Sequence, residues 1–341
     1  MTELQAEAET IEIDVASLIV EEDTFVSVTK GGYIKRTSPR SYNASTVEEI
    51  GKRDDDELIF VAQAKTTQHL LIFTNLGNVI YRPIHELTDI RWKDIGEHLS
   101  QTITNFATDE YVLYAEIVDD FGSQTYFAAT KLGQIKRFER KEFTPWRTYK
   151  SKSVKYAKLK NADDSVVTIS PIALDDVMIV THNGYALHFN IEEVPVVGAK
   201  AAGVKAINLK DDDFVASAFV ANTDSFFILT QRGSLKRMAT ELIPATSRAN
   251  RGLQVLRELK SKPHRVFMAG PVHTSNDVQN LDLFTISTVD SDDVETLEVH
   301  SNKGTVYQAI LEDLNLSERT SNGSFISDKI SDEGVFNARI K

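Results

Sequence analysis

The chain contains no cysteine, which excludes disulfide bonds and every thiolate metal site and fits a reducing compartment. It has no apolar run of membrane length, and its first residues are acidic rather than basic and apolar. Neither a bilayer span nor a secretory leader is expected, and the chain reads as cytoplasmic with no membrane partner. Catalytic constellations are missing too. The eight histidines lack the i, i+4 spacing of zinc proteases. No serine has glycine two before and two after it. Lys30-Gly31-Gly32 belongs to a hairpin, not to the strand-to-helix loop that cradles a phosphate. His182 and His188 share a hairpin without a third ligand. No catalytic residue, metal or cofactor is expected in this chain.

What is present is a repeat. The stretch Thr24 to Arg36 returns as Leu70 to Arg82, Tyr126 to Arg137, Val177 to His188, Phe226 to Arg237 and Leu297 to Gln308. The copies align on Gly32, Gly77, Gly133, Gly184, Gly233 and Gly304. Three residues before each glycine stands Thr29, Thr74, Thr130, Thr181, Thr230 or Ser301, and two after it an apolar side chain. Apolar residues at period two, a short polar loop, glycine and a second β-rich run describe a hairpin whose glycine takes the left-handed position. The threonine hydroxyl suits the loop backbone. The glycines are 45, 56, 51, 49 and 71 residues apart, a period that marks arrays and propellers.

Between hairpins an acidic turn leads into an apolar strand, as in Asp54-Asp55-Asp56-Glu57 before Leu58 and Asp163-Asp164 before Val166. Such turns read as solvated loops, or as a rim for docking a protein. Each unit supplies about four short strands, so the expected fold is all-β: six four-stranded antiparallel blades in a propeller-like disc over residues 24–341. Residues 1–23 form an acidic leader, with a strand or docking segment at Ile11 to Val20. Asn276 to Asp293 reads as an acidic insertion. The last strand, ending at Ile340, is expected to pair backward against the first blade, because an unpaired apolar edge invites aggregation.

A net charge of −12 argues against a nucleic-acid partner until its distribution is read. Eight acids and no base lie in Met1 to Asp23, and seven acids without a basic neighbour lie in Thr274 to Val299. The bases cluster elsewhere. Lys35-Arg36, Lys136-Arg137 and Lys236-Arg237 follow the turn glycine in units one, three and five. Lys136 to Lys160 holds ten bases, Arg147, Lys150, Lys152 and Lys155 among them, against two acids. Aromatic residues interleave this run, as phosphate contacts with supporting packing require. Arg248 and Arg251 belong to a second patch, and Arg40 adds to the first hairpin. These residues are the candidate contacts to nucleic acid or another polyanion. The competing reading is a solvated surface that keeps a β-disc soluble.

Thr29 to Arg36, Thr130 to Arg137 and Thr230 to Arg237 resemble the repeated hairpins of the C-terminal domains of bacterial type IIA topoisomerase A subunits. The resemblance runs from about Ile11 to Lys341. It implies a β-pinwheel whose blades exchange strands, with double-stranded DNA bent around the outer edge without base readout. The gyrase branch carries a first-blade box of glutamine, two bases, two glycines, a base and a glycine. Here the first-blade loop keeps only Gly51-Lys52-Arg53 of it, after Glu48-Glu49, so the chain looks most like the topoisomerase IV branch. The gyrase wrapping domain and a protein-interaction propeller stand as alternatives. The resemblance further implies a whole enzyme that adds the cleavage domain on the same polypeptide, the topoisomerase IV B subunit, ATP and magnesium. It also implies nucleoid association.

Overall fold

The computed structural model describes residues 19–173, 175–210, 212–274 and 295–341. Residues 11–18 of the expected first strand and the acidic stretch Asn276 to Asp293 lie outside the described residues. No helix among the described residues is long and apolar enough to cross a membrane.

Each unit begins with the expected hairpin: Asp23–Thr29 with Tyr33–Thr37, His69–Thr74 with Asn78–Pro83, and Thr125–Thr130 with Gln134–Glu139. The next three are Asp176–Thr181 with Tyr185–Asn190, Ser225–Thr230 with Ser234–Ala239, and Thr296–Ser301 with Val306–Ile310. All six turn glycines have φ between +74° and +91°, where a side chain would be strained. The threonine three residues earlier closes the turn. Its hydroxyl accepts the amide after the glycine, as in Tyr33 to Thr29 at 3.0 Å and Gln134 to Thr130 at 3.1 Å, and Ser301 does the same for Thr305 at 3.1 Å.

A third strand returns along the first strand of each hairpin: Leu58–Lys65, Val112–Val118, Val166–Pro171, Val215–Val220, Val266–Val272 and Val335–Ile340. From the first blade to the fifth, successive third strands pack on one another around the middle of the disc, so the opposite edge of each sheet faces outward. On that outer edge lies a two-residue strand taken from the following unit. Glu97–His98 pairs with Tyr33 and Ile34 of blade one, and Val154–Lys155 with Asn78 and Val79 of blade two. Val204–Lys205, Leu253–Gln254 and Ser324–Phe325 complete blades three, four and five. The sixth sheet has three strands among the described residues. The last strand pairs backward, but with its own blade: Leu297 faces Ile340 and Val299 faces Ala338. The expected pairing with blade one is thereby corrected, because Val335–Ile340 simply takes the third-strand place of unit six.

In blades two to five both faces of the first strand are buried because the blade is sandwiched between two others. Residues six and four before a turn glycine point forward, and those seven and five before it point back. Val26 and Val28 therefore meet Leu70 and Ile72, and Phe227 and Leu229 meet Leu297 and Val299. Five such apolar joints link the six blades. At the sixth position the code changes. The forward face of the last blade carries Glu298 and His300 where the others carry aliphatic or aromatic residues. On blade one, Phe25 stacks on Tyr42 of its own unit, with ring centroids 3.8 Å apart.

Glu298 is 5% exposed and is gripped by Lys341, His300 and Arg339. Burial alone would raise its pKa, but hydrogen bonds from these three partners outweigh it and hold the carboxyl at about 2, against an ordinary 4.5. Because the folded value lies below the unfolded one, the group stabilises the blade above pH 4.5, and that stability is lost as pH falls from 4.5 towards 2. Glu298→Gln is expected to remove this component, on the order of 1–3 kcal/mol once the exposed ends of its partners are allowed for, from an acid-unfolding curve. A variant with an unaltered acid transition would contradict the assignment.

Candidate nucleic-acid interface

The loop that leads into each donated strand lies on the outer edge, and the exposed candidate bases are concentrated there. In unit three a short 3-10 turn, Arg140–Phe143, buries Phe143 and launches the chain outward before Val154–Lys155 returns to blade two. Between them Arg147, Lys150 and Lys152 are exposed, as is Lys155 in the donated strand itself. Arg147 and Lys152 make no side-chain hydrogen bond or ion pair among the described residues. Lys150 pairs with Glu86 at 3.0 Å, and Lys155 donates to the Leu76 carbonyl at 2.9 Å. Glu86 also accepts from the Tyr149 hydroxyl at 2.9 Å. Although burial pushes its pKa up, the contacts with Lys150 and Tyr149 outweigh burial and hold the carboxyl low, so it stays ionised.

In unit five the same position carries Arg248 and Arg251. Arg248 is half-buried and donates to the carbonyls of Glu193 at 3.1 Å and Lys205 at 2.9 Å, and Arg251 lies 4.2 Å from the centroid of the Tyr185 ring. Arg40 is exposed on the short helix Pro39–Asn43. The structure thus brings Arg147, Lys150, Lys152 and Lys155 together on one loop and sets the unit-five arginines at the corresponding place two blades on.

The Lys-Arg pairs are located differently. Lys35, Lys136 and Lys236 are only 2%, 3% and 2% exposed, so the expectation that these three meet phosphate is corrected. Each ammonium reaches under the loop of the following unit and donates to its carbonyls, and Lys136 and Lys236 also reach a carbonyl of their own unit, Tyr156 and Val255. Lys35 binds Arg91, Trp92 and Asp94, and Lys136 binds Tyr156, Gly198, Ala199 and Ala201. Lys236 binds Val255, Arg319 and Ser321. Burial pushes Lys35 and Lys136 down to about 8 and Lys236 to about 7. Their half-buried neighbours do related work: Arg36, Arg137 and Arg237 donate to the carbonyls of Leu87, Val194 and Glu312. A signal for this was present in sequence, because units two and four hold Ile80 and Leu187 where the lysines stand, and both are buried.

The acidic turns also have a structural role that the solvated-loop reading missed. Asp56 accepts the amide of Gly31 at 2.7 Å, Asp164 that of Leu132 at 2.9 Å, and Asp213 that of Asn183 at 2.9 Å. Each lies two residues before the first apolar residue of the strand that follows, which marks it among its acidic neighbours. Asp164→Ala is expected to leave the Leu132 amide unpaired and cost about 1–3 kcal/mol in a denaturant melt, since Asp164 is 3% exposed. A neutral result would show that the turn holds without it.

Similarity to known proteins fits this architecture. The chain matches the family described as DNA gyrase C-terminal domain, beta-propeller, over residues 23–46, 68–119, 124–173, 175–222 and 224–267. It is 70% identical over its whole length to the DNA topoisomerase 4 A subunit of Streptococcus pneumoniae serotype 4 (strain ATCC BAA-334 / TIGR4), covering 41% of that protein. Against the DNA topoisomerase 4 A subunit of Bacillus subtilis (strain 168) it is 38% identical, covering 96% of the chain and 38% of the relative. The chain spans about two fifths of the length of such curated relatives. A crystal structure of the C-terminal domain of DNA topoisomerase IV superposes with TM-score 0.82 at 36% identity, covering 94% of each chain. A DNA gyrase A C-terminal domain shares the fold at TM-score 0.61 and 19% identity, covering 94% of this chain and 99% of that one. The chain belongs to the β-propeller C-terminal domain family of gyrase and topoisomerase IV A subunits, and the relatives of 38–70% identity named above are topoisomerase IV A subunits.

Proposed function

We propose that this domain binds and bends duplex DNA along its outer edge without reading base sequence, as the part of the topoisomerase IV A subunit that selects DNA for decatenation and relaxation. The supporting observation is the 144–155 loop, which presents Arg147 and Lys152 without a partner among the described residues and Lys150 and Lys155 exposed on the rim. No helix of groove-reading length accompanies it among the described residues, so contacts go to phosphates rather than base edges. The cleavage domain on the same polypeptide and the topoisomerase IV B subunit supply strand breakage and ATP use, with ATP and magnesium bound there. The isolated domain itself cleaves no DNA, hydrolyses no ATP and acts in the cytoplasm at the nucleoid. A protein-docking rim built from the acidic turns is less favoured, since Asp56, Asp164 and Asp213 are already engaged by their own hairpins.

Bending is tested with circular DNA relaxed by a nicking-closing enzyme in the presence of the domain. Captured writhe, seen as a shifted topoisomer distribution after the protein is removed, is expected. A distribution identical to that of naked DNA at saturating domain would reject bending.

A further inference from the structure

Arg82 was not among the bases expected to meet DNA, and it lies 7% exposed at the end of the second strand of blade two. Two of the four acceptors of its guanidinium lie on the loop of the next unit. One terminal nitrogen donates to the carbonyls of Tyr81 at 2.9 Å and Tyr149 at 2.8 Å. The other donates to the Thr102 hydroxyl at 2.8 Å and the Lys150 carbonyl at 3.3 Å. The following carbonyls are engaged as well. Ser151 accepts from the amide of Thr104 at 2.9 Å and from its hydroxyl at 3.1 Å, and Lys152 accepts from the Trp146 indole at 2.9 Å.

All four consecutive carbonyls from Tyr149 to Lys152 thus have protein donors, the first two of them on the buried Arg82, while the side chains of Arg147, Lys150 and Lys152 remain exposed. A carbonyl oxygen carries partial negative charge, so a loop that faced a phosphate with its own carbonyls would offset its lysines. A planar five-donor guanidinium holds several acceptors in one geometry at once, which an ammonium on a flexible stem does less well.

We infer that Arg82 is the positioning residue of the 144–155 loop: it touches no DNA itself but engages the loop's carbonyls and so keeps its basic side chains exposed. This rests on the reading of that loop as a DNA site.

The test compares equilibrium binding of one duplex across a salt series by wild type, Arg82→Met, Arg82→Lys, the loop triple Arg147→Gln/Lys150→Gln/Lys152→Gln, and the triple combined with Arg82→Met. Thermal melts confirm that each is folded. Arg82→Met is expected to weaken binding about tenfold and to reduce the log-log salt slope by more than one, since several bases are misplaced together and each phosphate left unneutralised removes about one. Arg82→Lys should fall between it and wild type, and Arg82→Met should add little to the triple, because residues acting through one unit are non-additive.

A triple variant that binds like wild type overturns the loop as a DNA site and the inference with it. A weakened triple beside an Arg82→Met of wild-type affinity and slope overturns the positioning role alone, as does an Arg82→Met effect that adds in full to the triple. Should Arg82→Met not fold, Arg82→Lys decides, because charge is kept: a lower slope supports the role, and unchanged affinity and slope overturn it.

Discussion

Reversing Arg147, Lys150 and Lys152 to glutamate together is expected to weaken DNA binding roughly a hundredfold and to flatten the log-log salt slope by up to about three, one for each phosphate no longer neutralised. All three are exposed on one rim loop, and Arg147 and Lys152 have no partner among the described residues to release first. Lys150 must leave Glu86, a bond of 3.0 Å between side chains that both reach solvent, so its displacement costs little. The melting temperature should fall only modestly, since Arg147 and Lys152 are exposed and the one partner disturbed is the partly buried Glu86. A fully folded triple variant with wild-type affinity and slope would remove this loop from the interface.

Lys136→Met is expected to do the reverse, destabilising the fold by about 3–5 kcal/mol with a smaller direct effect on charge at the rim. The ammonium satisfies the carbonyls of Tyr156, Gly198, Ala199 and Ala201, and methionine satisfies none of them. Burying the charge is itself unfavourable, as the lowered pKa shows, but a buried carbonyl without a partner costs about 1–3 kcal/mol and several would be stranded at once. Urea unfolding measures the loss. A variant as stable as wild type that binds DNA much less tightly would restore Lys136 as a phosphate contact.

These two outcomes separate what could be read in sequence from what could not. The hairpins were legible because period-two burial, the left-handed glycine and the threonine before it are local. Six copies in register then left little choice but a disc of blades. The exposure of the loop bases was legible because Lys136 to Lys160 is dense in charge, and charge outside a strand stays in solvent. The Lys-Arg pairs were misread because charge in a strand suggests a surface. Only strand exchange, which brings the 198–201 carbonyls onto Lys136, shows why a cation belongs inside. The pairing of Val335–Ile340 with Thr296–Ser301 follows from unit-six geometry rather than from the need to hide an edge. The ionic face at Glu298 depends on Arg339 and Lys341, some forty residues away in sequence, and no local pattern announces it.

The central claim, phosphate contact at the rim without base readout, is tested most directly by titrating the domain with two unrelated duplexes of equal length over a salt series. Parallel lines of log-log slope roughly −4 to −5, as expected for about five phosphates neutralised, with the same affinity for both duplexes at each salt, are predicted. A strong preference for one duplex, or binding indifferent to salt, would contradict it.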